Sequence, residues 1–412
     1  MRVVVTGASG NVGTSVLEAL GQEPAVEKIV GLARRVPEVE MPKVEWVGAD
    51  VVADSLEPIF DGADAVVHLA WAIQPSRDES VTERINVEGS RRVFEAAAAA
   101  KVPALVHASS VGAYSPGPKR RQVDESWPVE GIKTSFYSRH KAACEDLLDE
   151  LEGRVPELRI VRLRPGLIFK SEAASEIRRL FAGPFVPGFL VQKRLIPVIP
   201  RVPRLRFQAV HSRDVGEAYR QAVVRDVSGA FNIAAEPEIG VDELCEFFGA
   251  RSFPLPAGAL RGAAQLSWKL RLQPTSPGWI DLALGVPMMD TTRARTELGW
   301  EPSASSLDAL EDVLQGMRNA DGGPTPPLDP TAGGPMRAGE VATGVGQTQG
   351  VKAQLVARRH SATNRLRDGS RGRVRNLLFS GMVSRFRVEA RGTEGLWRHH
   401  TRKLFQNRAR SG

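Results

Sequence analysis

Cysteine is almost missing from this 412-residue chain; Cys144 and Cys245 are its only two. That excludes a disulfide framework and makes a reducing compartment the expectation. Long apolar runs are missing too, so no segment reads as a membrane span. The first strand-like run begins at Arg2, which leaves no room for a signal or transit peptide, and a cytoplasmic location is expected. Histidine is sparse, and no Cys/His spacing suits zinc, so no metal is expected. His68 and His107 fall in apolar runs and read as core residues, apart from His140 and His211. The chain holds only three tyrosines.

An apolar fraction of 42% is enough for a soluble globular body with an ample core. The net charge of +7 hides an asymmetry: residues 351–412 carry 16 Lys/Arg against 3 Asp/Glu, whereas the first 350 residues are net acidic. The basic character therefore belongs to the tail. Residues 319–350 are rich in Gly, Pro and Thr and read as disordered. The expected organisation is a body over 1–320, a linker over 321–350 and a disordered basic tail over 351–412. In the tail, Leu377 to Phe386 could form a short amphipathic helix, and any contact with nucleic acid or a membrane is expected to be non-specific.

Strand and helix patterns alternate through the body. Arg2 to Val5, Lys28 to Ala33, Val44 to Val47, Asp64 to Ala70, Ala104 to Ser110 and Leu158 to Leu163 read as strands; Glu83 to Lys101 and Tyr137 to Glu152 read as helices. This predicts an α/β fold of Rossmann type, a doubly wound parallel sheet with ligands at the carboxyl ends of its strands. Gly7, Gly10 and Gly13 follow the first strand at a spacing of three, and Val12, Val16, Leu17 and Leu20 then recur at helical spacing. A strand, a glycine turn and a helix make a dinucleotide site, because the backbone can approach a pyrophosphate and the helix start offers free N–H groups. The second strand ends in Ala33-Arg34-Arg35 with no acid. Arginine grips a 2′-phosphate where NAD sites place a carboxylate, so NADP is favoured over NAD. Asp50 is placed either to meet the adenine or to help cap a helix near Ser55.

Tyr137 and Lys141 stand four apart and so share a helix face. An ammonium beside a phenol favours the phenolate and turns tyrosine into a usable acid or base. Ser109 and Ser110 end the fifth strand, where a hydroxyl could bond a reacting oxygen or simply satisfy a turn.

With these go TGASGNVG at Thr6–Gly13, GAD at Gly48–Asp50, HLAW at His68–Trp71, Asn86 in NVEGS, SSVGAY at Ser109–Tyr114, YSRHK, RPGLIF at Arg164–Phe169, HSRDV at His211–Val215, GAFNIA at Gly229–Ala234 and TELGWEP at Thr296–Pro302. In this order they resemble the extended short-chain dehydrogenases/reductases, in the NAD(P)-dependent epimerase/dehydratase group, over about residues 1–318. The resemblance implies Tyr137 as general acid/base and Lys141 as the group that lowers its pKa and binds the nicotinamide ribose. Ser110 would orient the substrate oxygen, matching better than Ser109. Cofactor contacts would come from Gly7, Ser9, Gly10, Asn11, Val12 and Gly13, from Arg34, Arg35, Asp50 and Val51, and from Leu69, Ala70, Trp71 and Asn86. The nucleotide-binding core would comprise about 1–165 and 211–235, the smaller substrate region about 166–210 and 236–320. Trp71 and Gln208 are candidate substrate contacts. A homodimer is compatible with the resemblance.

Residues 177–213 hold eight basic residues and no acid, interleaved with Phe181, Phe185, Phe189 and Leu190. This suits an anionic small-molecule substrate, a lipid surface, or a solvated proline-rich flap. Sugar-nucleotide epimerases carry an arginine where this chain has Phe207, which leaves carbonyl reduction of other substrates open. The expected function is an NAD(P)-dependent oxidoreductase or epimerase/dehydratase; the alternative is a non-catalytic dinucleotide sensor built on the same fold.

Overall fold

A computed structural model describes residues 1–73, 78–181 (backbone alone at 178–181), 196–270 and 276–329. The strands are β1 (Arg2–Thr6), β2 (Lys28–Ala33), β3 (Val44–Gly48), β4 (Ala65–His68), β5 (Ala104–Ala108), β6 (Gln122–Val123), β7 (Arg159–Pro165), β8 (Leu167–Phe169), β9 (Val198–Arg201), β10 (Ala209–His211), β11 (Gly229–Ile233), β12 (Arg251–Pro254) and β13 (Met288–Met289). The helices are α1 (Asn11–Gln22), α2 (Glu57–Phe60), α3 (Glu79–Glu83), α4 (Gly89–Ala99), α5 (Phe136–Arg154), α6 (Ala174–Phe181), α7 (Ser212–Val224), α8 (Val241–Phe248), α9 (Ala257–Lys269), α10 (Gly278–Gly285), α11 (Thr292–Thr296) and α12 (Ser306–Asn319).

Seven strands form one parallel sheet in the order β3–β2–β1–β4–β5–β7–β11. Alternation along β1 explains the two layers. Val3 and Val5 face one side, where Val16, Leu17 and Leu20 of α1 meet Val215 and Tyr219 of α7. Val4 faces the other, among Phe60, Val93, Phe94 and Leu148. The order reverses between β1 and β4, which opens the crevice at their carboxyl ends. A smaller region carries β8–β10, β9–β12 and α12, with its own apolar cluster around Phe169, Ile239 and Val313.

The six predicted strands are present, with ends shifted by a few residues, and β11 adds a seventh. Two expectations are corrected. The helix expected over 83–101 is interrupted by a π-helical turn at Arg84–Glu88. There the Asn86 carbonyl accepts from the Ser90 hydroxyl at 2.5 Å and faces Cys144 Sγ at 3.4 Å, while the Asn86 side chain reaches the backbone of Ala72. The linker boundary at 321 is also too early. Residues 321–329 fold as a turn in which Thr325 and Leu328 are buried, and the Thr325 hydroxyl donates to the Ser9 carbonyl at 2.7 Å. A Pro/Gly/Thr composition does not reveal that one threonine finds a buried acceptor. The rest of the linker, the tail with Leu377–Phe386, and Arg178, Arg179, Phe181, Phe185, Phe189, Leu190, Lys193 and Arg194 as side chains lie outside the described residues. Among the described residues, no helix is long and apolar enough to cross a membrane, and no three or more His, Cys, Asp or Glu side chains gather as a metal site.

Candidate active site

The first turn is built for close backbone approach. Gly7 has φ +70°, and a Cβ there would lie 2.7 Å from the Ala70 nitrogen. A Cβ on Gly13 would lie 2.4 Å from the Gly7 carbonyl, so α1 could not seat against the turn. Gly10 is the N-cap of α1 and supplies no side-chain cap, which leaves the first helical amides without an intrahelical partner. Ser9 is buried beside them, under Thr325. Two polar atoms along this edge are buried with no hydrogen-bond partner among the described residues: Asn11 Oδ1 and the Trp71 indole nitrogen. An open glycine cradle, free helical amides and two orphaned polar atoms fit a dinucleotide.

The other predicted contacts sort themselves. Arg34 and Arg35 are exposed just past β2. Asp50 caps no helix, since α2 begins at Glu57 with Leu56 as N-cap. Instead Asp50 Oδ1 accepts from the Val52 amide at 2.9 Å. Val51 packs in the apolar layer beside Gly89. Leu69 and Ala70 bond back to Thr6 and floor the crevice. The Asn86 amide accepts from the Ala72 nitrogen at 2.7 Å and donates to the Ala72 carbonyl at 3.1 Å. It fixes the chain just beyond Trp71. Gln208 is likewise engaged, accepting from the Met289 amide at 2.7 Å and donating to the Met289 carbonyl at 2.9 Å.

Tyr137, Lys141 and Ser110 do come together. Ser135 caps α5, whose first turns run past the end of β5. The Tyr137 ring and Ser110 Oγ both flank Gly112, whose amide donates to Ser110 Oγ at 3.0 Å, while Ser109 donates to the buried Glu145 carboxylate. The two serines thus have different partners, and only Ser110 faces the phenol. Lys141 Nζ donates to the Ala108 carbonyl at 2.5 Å and lies 3.4 Å from the centre of the Trp71 ring. It stands 5.9 Å from the Tyr137 ring centre. The electrostatics differ from the expectation of a lysine-lowered phenol. Burial pushes Tyr137 above its ordinary value, and the neighbouring Ser110 hydroxyl pulls in the other direction. Burial pushes Lys141 down to about 7, against the opposing influence of Cys144 and the Glu145 carboxylate.

That lysine carries a stability cost with a definite sign. A cation with a lowered folded pKa destabilises most where it is charged, below about pH 7; as pH rises from there toward the ordinary lysine value of about 10.4, the penalty shrinks. Lys141→Met is expected to melt higher than wild type at pH 6, with the gap narrowing at pH 9, in paired thermal unfolding scans.

Sequence reasoning missed the layer beneath. On α5, Glu145 stands four residues beyond Lys141 and is fully buried. It accepts from Arg164 Nε at 2.8 Å and Nη2 at 2.9 Å, and from Arg162 at 3.3 Å. Arg164 continues to the Tyr114 hydroxyl at 3.1 Å, and Tyr114 donates to Asn232 at 2.7 Å. The signal was the third member of the same helix face. Behind the site, His68 is locked between Thr6 and Ser90 and stays neutral, its pKa pushed by burial and by Lys141 to about 3. His107 stacks on it at 5.5 Å. Trp279 of α10 was also missed; its ring centre lies 5.3 Å from that of Tyr137.

Relatives point the same way. A Mycobacterium tuberculosis protein described as uncharacterized is 25% identical over 321 residues, which cover 77% of this chain and only 30% of that relative. A decarboxylating sterol-4-alpha-carboxylate 3-dehydrogenase of Candida albicans is 28% identical over 180 residues, 40% of this chain and 50% of that enzyme. The crystal structure of a Thermus thermophilus UDP-glucose 4-epimerase with NAD superposes with a TM-score of 0.58 at 22% identity, covering 78% of this chain and 100% of that one, a likeness of fold. The sequence profile of the NAD dependent epimerase/dehydratase family matches residues 3–234. A match over more than half of the chain, on a sheet of this order, makes the protein a member of the NAD dependent epimerase/dehydratase family.

Proposed function

We propose that the protein is an NAD(P)-dependent oxidoreductase or epimerase/dehydratase acting on a hydroxyl/carbonyl substrate, with Tyr137 as acid/base. The observation that carries this is the Tyr137 ring beside the Ser110 hydroxyl at Gly112, with Lys141 one helical turn on, at the carboxyl edge of a sheet whose first turn is a dinucleotide cradle. A nicotinamide held there supplies or accepts the hydride at the carbinol carbon. Tyr137 gives the substrate oxygen its proton in reduction and takes it in oxidation. Ser110 holds the same oxygen in line with the phenol. Lys141 sets a positive charge near the developing phenolate when it is protonated. The amides at the start of α1 would hold the pyrophosphate. The relation to a sterol dehydrogenase and the fold shared with an NAD-bound epimerase support hydride chemistry in general.

Arg34 and Arg35 support NADP as the preferred cofactor, since both are exposed where the adenosine ribose of a bound dinucleotide would end. Titration of the full chain with NADP(H) and NAD(H) by calorimetry is expected to give tighter NADP(H) binding. Arg34→Ala should erase the preference by weakening NADP(H) about tenfold or more while sparing NAD(H). Equal or tighter NAD(H) binding by the wild type would reassign the two arginines to the solvated surface.

A further inference from the structure

Resting on that functional reading, we infer that the substrate is a flat, uncharged ring ketone or ring alcohol, stacked against Trp279 beside the Tyr137 hydroxyl. The placement of Trp279 is built into the backbone. Pro277 is the N-cap of α10, and Gly278 presses on the start of α5 so closely that a Cβ would lie 2.4 Å from the Thr134 carbonyl. Only a glycine lets the two helix starts meet, and that contact delivers the next residue, Trp279, to the phenol. The two ring planes are tilted by 34°, and Trp279 also meets Phe136 edge-on at 6.1 Å. From the opposite half of the fold, Trp71 meets Tyr137 edge-on at 5.9 Å. Tyr137, Trp71 and Trp279 all remain partly exposed. The reacting hydroxyl thus stands in an aromatic corner, a surface that favours a π-face over a hydrated sugar.

Charge argues in the same direction. A nucleotide diphosphate needs donors free to fork onto its oxygens. On the substrate side, Arg201 is paired with Asp242 and Arg206 with Glu238. Arg204 donates to the carbonyls of Leu284 and Gly117, Lys119 to those of Arg206 and Ala283, and Arg261 to Asp281. Among the described residues, three cations of the basic run, Arg201, Arg204 and Arg206, are engaged by the protein itself, as are Lys119 and Arg261. In the reaction, the ring carbonyl carbon would gain the hydride of reduced nicotinamide and its oxygen the Tyr137 proton, giving the secondary alcohol and oxidised cofactor; the reverse holds for oxidation.

The test uses the full chain loaded with NADP⁺ and two probes, 2-naphthol and UDP-glucose, followed by calorimetry. Naphthol is flat and uncharged and has no hydride to give, so it reads binding alone. The expected result is binding of 2-naphthol and none of UDP-glucose. Trp279→Ala should weaken naphthol about tenfold, with Trp279→Phe in between and NADP⁺ affinity unchanged. If the alanine variant fails to fold, the phenylalanine variant carries the comparison. UDP-glucose binding tighter than naphthol, naphthol affinity indifferent to Trp279, or dinucleotide binding without naphthol binding each overturns the inference alone. Failure of the wild type to bind NADP⁺ or NAD⁺ overturns the functional reading together with it.

Discussion

Replacing Tyr137 with phenylalanine is expected to lower turnover by about 10²–10⁴-fold, the usual weight of one positioned acid/base. The phenyl ring keeps the contacts with Trp71 and Trp279 and loses only the hydroxyl. The melting temperature and NAD(P)(H) affinity should therefore stay at wild-type values. Steady-state kinetics paired with a dinucleotide titration separate this from a structural effect. They also separate an enzyme from a dinucleotide sensor, because a sensor would keep its biological readout without the phenol. A variant with near-normal turnover would remove Tyr137 from the chemistry.

The second large effect lies one layer deeper. Glu145→Ala is expected to destabilise the protein by about 3–5 kcal/mol, measured by denaturant unfolding, because it leaves the buried Arg164 against no carboxylate, while Arg162 keeps Asp149 and Glu152. Glu145→Gln should cost less, since it keeps the shape and one acceptor. Burial pushes the Glu145 carboxyl up, but the Arg164 bond and charge, Arg162 and the Ser109 hydroxyl outweigh it, and its pKa is lowered. The sign follows. A lowered carboxyl contributes its full stability above its unfolded value of about 4.3, and loses it as pH falls through the folded value. The wild type should therefore lose stability below about pH 4 more steeply than Glu145→Gln. Activity should also fall in the alanine variant, since Ser109 adjoins Ser110 and both follow the Ala108 carbonyl that holds Lys141.

Much of this was readable in one dimension. The period of two in the strands, the glycine spacing and the four-residue step from Tyr137 to Lys141 are local patterns, and local patterns fix which face a side chain takes. The same logic would have reached Glu145 one turn further on. It could not reach Trp279, whose position depends on a helix more than 130 residues away in sequence pressing on the α5 N-cap through Gly278. Nor could it foresee that Asn86 and Gln208, which look like ligand contacts, satisfy the peptide groups of Ala72 and Met289. Composition misjudged 321–329 for a similar reason: one hydroxyl on one buried carbonyl leaves no trace in a Pro/Gly/Thr average.

The sequence by itself therefore determined the parallel sheet, the dinucleotide turn and the Tyr137/Lys141 pair, because each follows from spacing along a single element. Tertiary structure alone decided which serine lies beside the phenol, how Lys141 is held, which of the described cations are paired within the protein and which rings surround Tyr137. Those depend on groups distant in the chain competing for the same buried donors and acceptors, and that competition is settled only when the elements pack.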